Sequence, residues 1–163
     1  MNQESTDTKE EYLNKLRHST AHVMAQAVQE MFPGTKLTIG PPIEDGFYYD
    51  FDSPHTFVPE DLKKIENRMR EIVKGNHAFV MSTHPSDEAR KFWGDRGEKY
   101  KVELIDEFKA PTVTYCAHDT FVDLCRGGHV ESTRDIRHFR LLKIAGSYWR
   151  GDEKREKLQR RRG

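Results

Sequence analysis

An acid, a thiol and an imidazole fall within seven residues at Asp123, Cys125 and His129, with Gly127 and Gly128 between the last two. Two more imidazoles, His18 and His22, lie four residues apart far upstream. If the fold joins these stretches, four nitrogen and sulfur donors and one carboxylate meet in one place. Three chemistries fit those residue types. Three His and one Cys are the donor set of a zinc site. The same groups without metal can position a water, while Asp123 pairs with a substrate ammonium and hydrolysis of an ester proceeds by base and oxyanion catalysis. A Cys125 nucleophile activated by an imidazole is the third, and it has the least support because no nucleophile motif surrounds it. The paired glycines suit all three, since they let backbone amides approach a ligand.

The elements that must hold these groups can be read from periodicity. Thr8 and Glu11 form a capping-box pattern ahead of Leu13, Leu16, Val23, Met24, Ala27, Val28 and Met31. That predicts one amphipathic helix over residues 9–31, stopped by Pro33-Gly34, with His18 and His22 one turn apart on one face. Residues 36–52 read as a hairpin with a stiff Gly-Pro-Pro connection. A second helix starts at Pro59, with Leu62, Ile65, Met69 and Ile72 on one face and Gly75-Asn76 at its end. Further expectations are strands at 77–82, 112–116, 120–124 and 139–144, with helical stretches at 86–93 and 98–106. The fold class expected is α+β, an antiparallel or mixed sheet with a long N-terminal helix and further helices packed on it.

Composition narrows the function classes. At 163 residues the chain can build one hydrophobic core. Its 33% charged content with nine Phe and six Tyr describes a hydrated, foldable protein rather than a disordered one. No apolar run approaches the ~18 residues that cross a bilayer, and the polar, acidic start does not read as a signal or transit peptide. Two cysteines do not make a disulfide scaffold, so a reducing cytoplasm is expected. Net charge is zero, yet residues 150–163 hold seven basic and three acidic residues. Arg134, Arg137, Arg140 and Lys143 continue that character upstream, as a phosphate-binding surface or simply a solvated charged one.

Six segments together carry a more specific resemblance. They are Arg17–His22, Thr38–Pro41, Gly46–Asp50, Tyr100–Val102, Val122–His129 and Ala145–Asp152. In order and spacing they resemble the editing domain of bacterial-type threonyl-tRNA synthetase, within the wider threonyl/alanyl editing-domain superfamily. The resemblance implies a single editing domain over 15–151, preceded by a polar segment with the helix start at 1–14. It implies a basic segment at 152–163, a linker toward an aminoacylation core that this chain does not contain.

The function so implied is deacylation of tRNA(Thr) carrying serine, by water attack on the aminoacyl ester. A second, hydrolytic sieve is physically reasonable because one methyl group discriminates by only about 1–3 kcal/mol. The resemblance assigns His18, His22, Lys101, Cys125 and His129 to catalysis, and Asp123 and Tyr49 to substrate binding. It implies no required cofactor; the alternative is zinc on His18, His22, Cys125 and His129, as in the alanyl branch. Partners implied are the mischarged tRNA and the remainder of a synthetase, with no membrane. A zinc-dependent alanyl-type trans-editing deacylase and a non-catalytic tRNA-binding module are the competing functions. Gly128 departs from the family pattern, which has proline there, and predicts a looser loop.

Overall fold

The computed structural model describes residues 8–38, 40, 42–148 and 157–162. Helix α1 spans Lys9–Met31 and begins as its sequence dictates. The Thr8 hydroxyl accepts the Glu11 amide at 3.2 Å, and the Glu11 carboxylate accepts the Thr8 amide at 3.0 Å. Residues 19 through 28 are buried on every side, including Ser19, Thr20, His22 and Gln26. The middle of α1 is thus an internal helix rather than a surface one, and its polar side chains need internal partners.

Helix α2, Pro59–Lys74, lays Ile65, Met69 and Ile72 against α1. The same core takes Phe47, Tyr49 and Phe51 from β3, Gly46–Asp52. Strands β1 (Lys36–Leu37) and β2 (Pro42–Ile43) flank β3. With β7 (Lys143–Tyr148) and β8 (Lys157–Arg162) they complete an antiparallel sheet in the order β1-β3-β8-β7, with β2 also on β3. A second antiparallel sheet, β4-β5-β6, contains Val80–Pro85, Thr112–His118 and Phe121–Leu124. Helices α3 (Ser86–Asp95) and α4 (Lys99–Phe108) cover it through Ala89, Trp93 and Ile105 on Val113 and Tyr115. The α+β class stands, with the strands divided between two sheets. Among the described residues no helix is long and apolar enough to cross a membrane.

Three local expectations change. The strand expected at 139–144 begins only at Lys143, because Glu66 of α2 captures the Leu141 amide at 3.1 Å and Leu142 is 60% exposed. The strand expected at 77–82 runs from Val80 to Pro85, preceded by a single bridge between Ala78 and Ser132. The third concerns the C-terminal segment, expected as a basic linker, which holds β8 in the middle of a sheet. Leu158 supplies its buried contact. Arg160 forks onto both oxygens of buried Asp50 at 2.7 and 3.0 Å, and Arg162 reaches Asp45 at 2.6 Å. These two cations are therefore spent inside the domain; residues 150–156 of the basic segment lie outside the described residues.

Candidate active site

Helix α1 presents His18 and His22 toward the loop that follows β6. The His18 ring stacks on His129 with centroids 4.1 Å apart, and His22 meets His129 edge-on at 4.4 Å. Cys125 Sγ lies 3.1 Å from His129 Nε2 and 3.6 Å from His18 Nε2. Ser19 ties helix to loop: its hydroxyl accepts the Val130 amide at 3.0 Å and meets His129 Nδ1 at 3.0 Å. Gly127 and Gly128 take φ of +104° and +85°, and the Gly127 amide donates to Cys125 Sγ at 3.3 Å. Proline's fixed φ near −65° excludes it from the path the chain follows at Gly128. The loop is held at Cys125 by the Gly127 amide and at Val130 by Ser19.

Beside this cluster lies a buried ion pair. Lys101, one turn into α4 and 1% exposed, places Nζ 2.5 Å from Asp123 Oδ1. The same ammonium donates to the Thr38 carbonyl at 2.9 Å and to the Tyr49 hydroxyl at 3.1 Å. Tyr49 donates in turn to Asp123 Oδ2 at 2.8 Å, and His22 Nε2 stands 3.4 Å from that oxygen. Such a pair offsets its desolvation through its Coulomb attraction and through the hydrogen bonds that Thr38 and Tyr49 add to it.

Two residues behind the pair fix its shape. The buried Glu98 carboxylate accepts the Leu37 amide at 3.1 Å and Gln29 Nε2 at 2.9 Å. It thereby sets the backbone that aims the Thr38 carbonyl at Lys101. Gly40 lies flat against Tyr49, where a Cβ would come within 2.2 Å of the ring.

Both groups open on a cavity of about 520 Å³. His18, His22, Tyr49, Lys101, Asp123 and Cys125 line its polar end. Leu104, Phe108, Val113 and Leu124 line the rest, and the Arg126 guanidinium sits 4.8 Å over the Phe108 ring. Of the seven residues singled out from sequence, six line the cavity. The seventh, His129, packs against His18 and Cys125, with Phe79 stacked 5.1 Å away.

Burial decides the protonation of the cluster. It holds His18 below the usual histidine range against a raising backbone hydrogen bond from Gly128. Burial, reinforced by the His129 and His18 rings, holds His22 well below it. His129 is pushed down to about 3 by burial and then by His18. All three imidazoles are neutral at pH 7. Burial raises the Cys125 thiol to about 11, so it is not a ready thiolate nucleophile. Tyr49 is raised well above its usual range by burial and then by Asp123.

The donors also suit a metal. One ligand atom from each of His18, His22, Cys125 and His129 falls within 4.8 Å of the others. A tetrahedral zinc with ordinary bond lengths sets its nitrogen–sulfur edges at about 3.5 Å, close to the His18–Cys125 separation. Ser19 on His129 and the Gly128 backbone on His18 supply outer partners of the kind that orient metal-bound imidazoles. The residues present therefore fit zinc.

Sequence reasoning overlooked Ser19, Thr38, Gly40 and Glu98 as individual contributors. The first three sit inside segments already quoted, so their position was the available signal. Glu98 lies in a charged stretch that gives none. Ile39, Pro41 and residues 149–152 of those segments are outside the described residues.

Comparison with known proteins bears on the whole arrangement. Residues 112–160 match the family described as "Threonyl and Alanyl tRNA synthetase second additional domain". Threonine–tRNA ligases are similar over nearly the full chain. That of Pelobacter propionicus is 52% identical over 155 residues, covering 95% of this chain and 24% of the relative. Those of Thiobacillus denitrificans and Dehalococcoides mccartyi are 53% and 52% identical over 153 and 148 residues. They cover 92% and 91% of this chain, and 24% and 25% of the relatives. The chain spans about a quarter of the length of these curated relatives. Residues 112–160 thus match the threonyl- and alanyl-tRNA synthetase second additional domain, and nearly the whole chain is similar to one part of threonine–tRNA ligases.

Proposed function

We propose that this domain proofreads by hydrolysis, releasing serine from tRNA(Thr) charged with the wrong amino acid. The observation that supports it most is the buried Lys101–Asp123–Tyr49 assembly opening on a cavity walled by neutral imidazoles. His18 is the partly exposed imidazole on that wall and acts as the proton acceptor for the attacking water. His22, 2% exposed and beside Asp123, orients rather than reacts.

The substrate α-ammonium binds Asp123 by exchanging with the Lys101 ammonium, one cation for another. Lys101 then remains on Thr38 and Tyr49, free to stabilise the oxyanion that forms as water oxygen bonds to the ester carbon. Collapse breaks the bond to the ribose oxygen, which leaves with the proton held by His18. Free amino acid and uncharged tRNA result. Cys125, a protonated thiol here, shapes the wall and takes no covalent part. Some 520 Å³ exceeds what a seryl group fills, and the apolar arm ending at Phe108 and Arg126 suits the terminal nucleoside. The polar end admits serine and crowds the extra methyl of threonine.

The zinc-fitting quartet favours a second reading, a metal-dependent deacylase of the alanyl type. There zinc on His18, His22, Cys125 and His129 would supply Lewis acidity. A third reading is a tRNA-binding module without chemistry. The domain works in the cytoplasm, joined to or beside the rest of a threonyl-tRNA synthetase.

The deciding measurement is serine release from Ser-tRNA(Thr), with Thr-tRNA(Thr) as control, for the intact chain and Lys101→Ala. Release that is selective, lost in the variant and insensitive to chelator is expected. Chelator sensitivity restored by zinc supports the second reading, and no release at all supports the third.

A further inference from the structure

A second surface feature lies away from the cavity. The last turns of α2 carry Arg70 and Lys74, and the 3-10 turn at Thr133–Asp135 docks against them. Thr133 makes that docking rigid: its amide donates to the His77 carbonyl at 2.9 Å, and its hydroxyl reaches the Val73 carbonyl at 3.2 Å. Arg134 and Arg137 thereby join Arg70 and Lys74 along a groove of about 420 Å³, with Phe139 at its side.

The cations of this groove are handled unlike others on the surface. Elsewhere Arg68 is spent on Glu30 and Glu71, Arg90 on Asp106 and Arg162 on Asp45. Lys74, Arg134 and Arg137 are exposed, and no ion pair engages them among the described residues. Arg70 is paired with Glu66 and also lies 5.6 Å over the Phe139 ring. A favourable interaction with the α2 dipole accounts for Lys74. It does not account for Arg134 and Arg137, which belong to another element. Like charges gathered in one groove repel until a polyanion neutralises them.

We propose that this groove binds the phosphate backbone of the RNA whose acylated end enters the cavity, an assignment that rests on the hydrolytic reading above. RNA rather than an acidic protein fits because groove and cavity are close along the chain. Arg134 follows the site residue His129 by five positions, which limits their Cα separation to about 17 Å. A short single-stranded 3′ end covers such a distance while the adjoining duplex lies on the groove.

The test compares the intact chain with Arg134→Ala/Arg137→Ala, using an RNA hairpin with a single-stranded 3′ end and fluorescence anisotropy across a salt series. At low salt the double variant is expected to bind about tenfold or more weakly, and its log K against log salt slope to flatten by about two. Arg134→Lys/Arg137→Lys keeps the charges and is expected to keep most of the slope. Arg90→Ala, on another face, is expected to match the unaltered chain.

Hydrolysis separates this idea from the reading beneath it. A seryl-adenosine ester is expected to be cleaved equally by the double variant, while Ser-tRNA(Thr) shows a raised KM. Unchanged RNA affinity and slope in the double variant, or an equal loss in Arg90→Ala, overturns the groove. Groove-dependent binding without serine release by any form leaves the groove standing and overturns the hydrolytic reading.

Discussion

The cavity and the groove use positive charge in opposite ways. In the cavity one ammonium, Lys101, is 1% exposed, paired with Asp123 and donating to the Thr38 carbonyl and the Tyr49 hydroxyl. In the groove several cations face solvent, and only Arg70 has a carboxylate partner among the described residues. Buried and fully paired charge fixes geometry, at a desolvation cost that complete pairing offsets. Exposed and unpaired charge fixes little but creates a field that reaches a polyanion through solvent. The contrast sets the order in which substitutions should hurt.

The largest loss is expected where one half of the buried pair is removed. Lys101→Met leaves Asp123 charged and without its cation, and is expected to cost about 3–5 kcal/mol of stability together with hydrolysis. Urea denaturation of Lys101→Met/Asp123→Leu sharpens the point. The double variant should regain much of the stability but none of the activity. A single variant as stable as the parent would show that the pair contributes nothing to the fold.

Acid is expected to act next, through the histidines. His118 is 1% exposed, with neither ring nitrogen hydrogen-bonded, and burial followed by His77 pushes its pKa down to about 4. Since that lies below 6.5, the unfolded chain takes the proton first as pH falls. The contribution is whole above about pH 6.5 and lost on the way to pH 4, about 3 kcal/mol for this one group. His18, His22 and His129 are shifted in the same direction and steepen the fall. Denaturation midpoints that stay level from pH 7 to pH 4.5 would contradict it, while His118→Phe should flatten the dependence.

Those histidines also show how far sequence reached. The α1 cap, the His18/His22 spacing and the Asp123–His129 loop are local patterns, and each was legible because its partners lie within one turn or one loop. What brings them together was not. β8 shows the reason: Leu158 is its one apolar residue, and its polar contacts run from Gln159 to the backbone of His55 and Phe57 and from Arg160 and Arg162 to Asp50 and Asp45, all more than a hundred positions earlier. Read alone, that run resembles a solvated tail. Glu98 was invisible for a similar reason, since its role comes from the amide of Leu37 and not from its neighbours. The resemblance to known editing domains supplied the link to Lys101, which periodicity would have left as a surface charge.

A smaller effect is expected at Gly128. Its φ of +85° is closed to proline, and its virtual Cβ lies 3.8 Å from the His18 ring. Gly128→Pro should cost about 1–3 kcal/mol and move His129 relative to Cys125. Gly128→Ala meets the backbone strain with little crowding, so it should fall between proline and the parent. Thermal unfolding ranks the three, and an unperturbed proline variant would mean that the loop has a second path of equal energy.

The smallest effect belongs to the groove, and its smallness is the informative part. Arg134 and Arg137 make no side-chain ion pair among the described residues, so replacing both by alanine removes no attraction that holds the fold. Surface changes of this kind usually move stability by less than about 0.5 kcal/mol. Here the sign should be favourable at low salt, because two mutually repelling charges are gone, and the gain should vanish as salt screens what remains. Melting temperatures of parent and double variant at two ionic strengths test this directly. A marked loss of stability would mean that these arginines are structural, and would place them with Lys101 rather than opposite it.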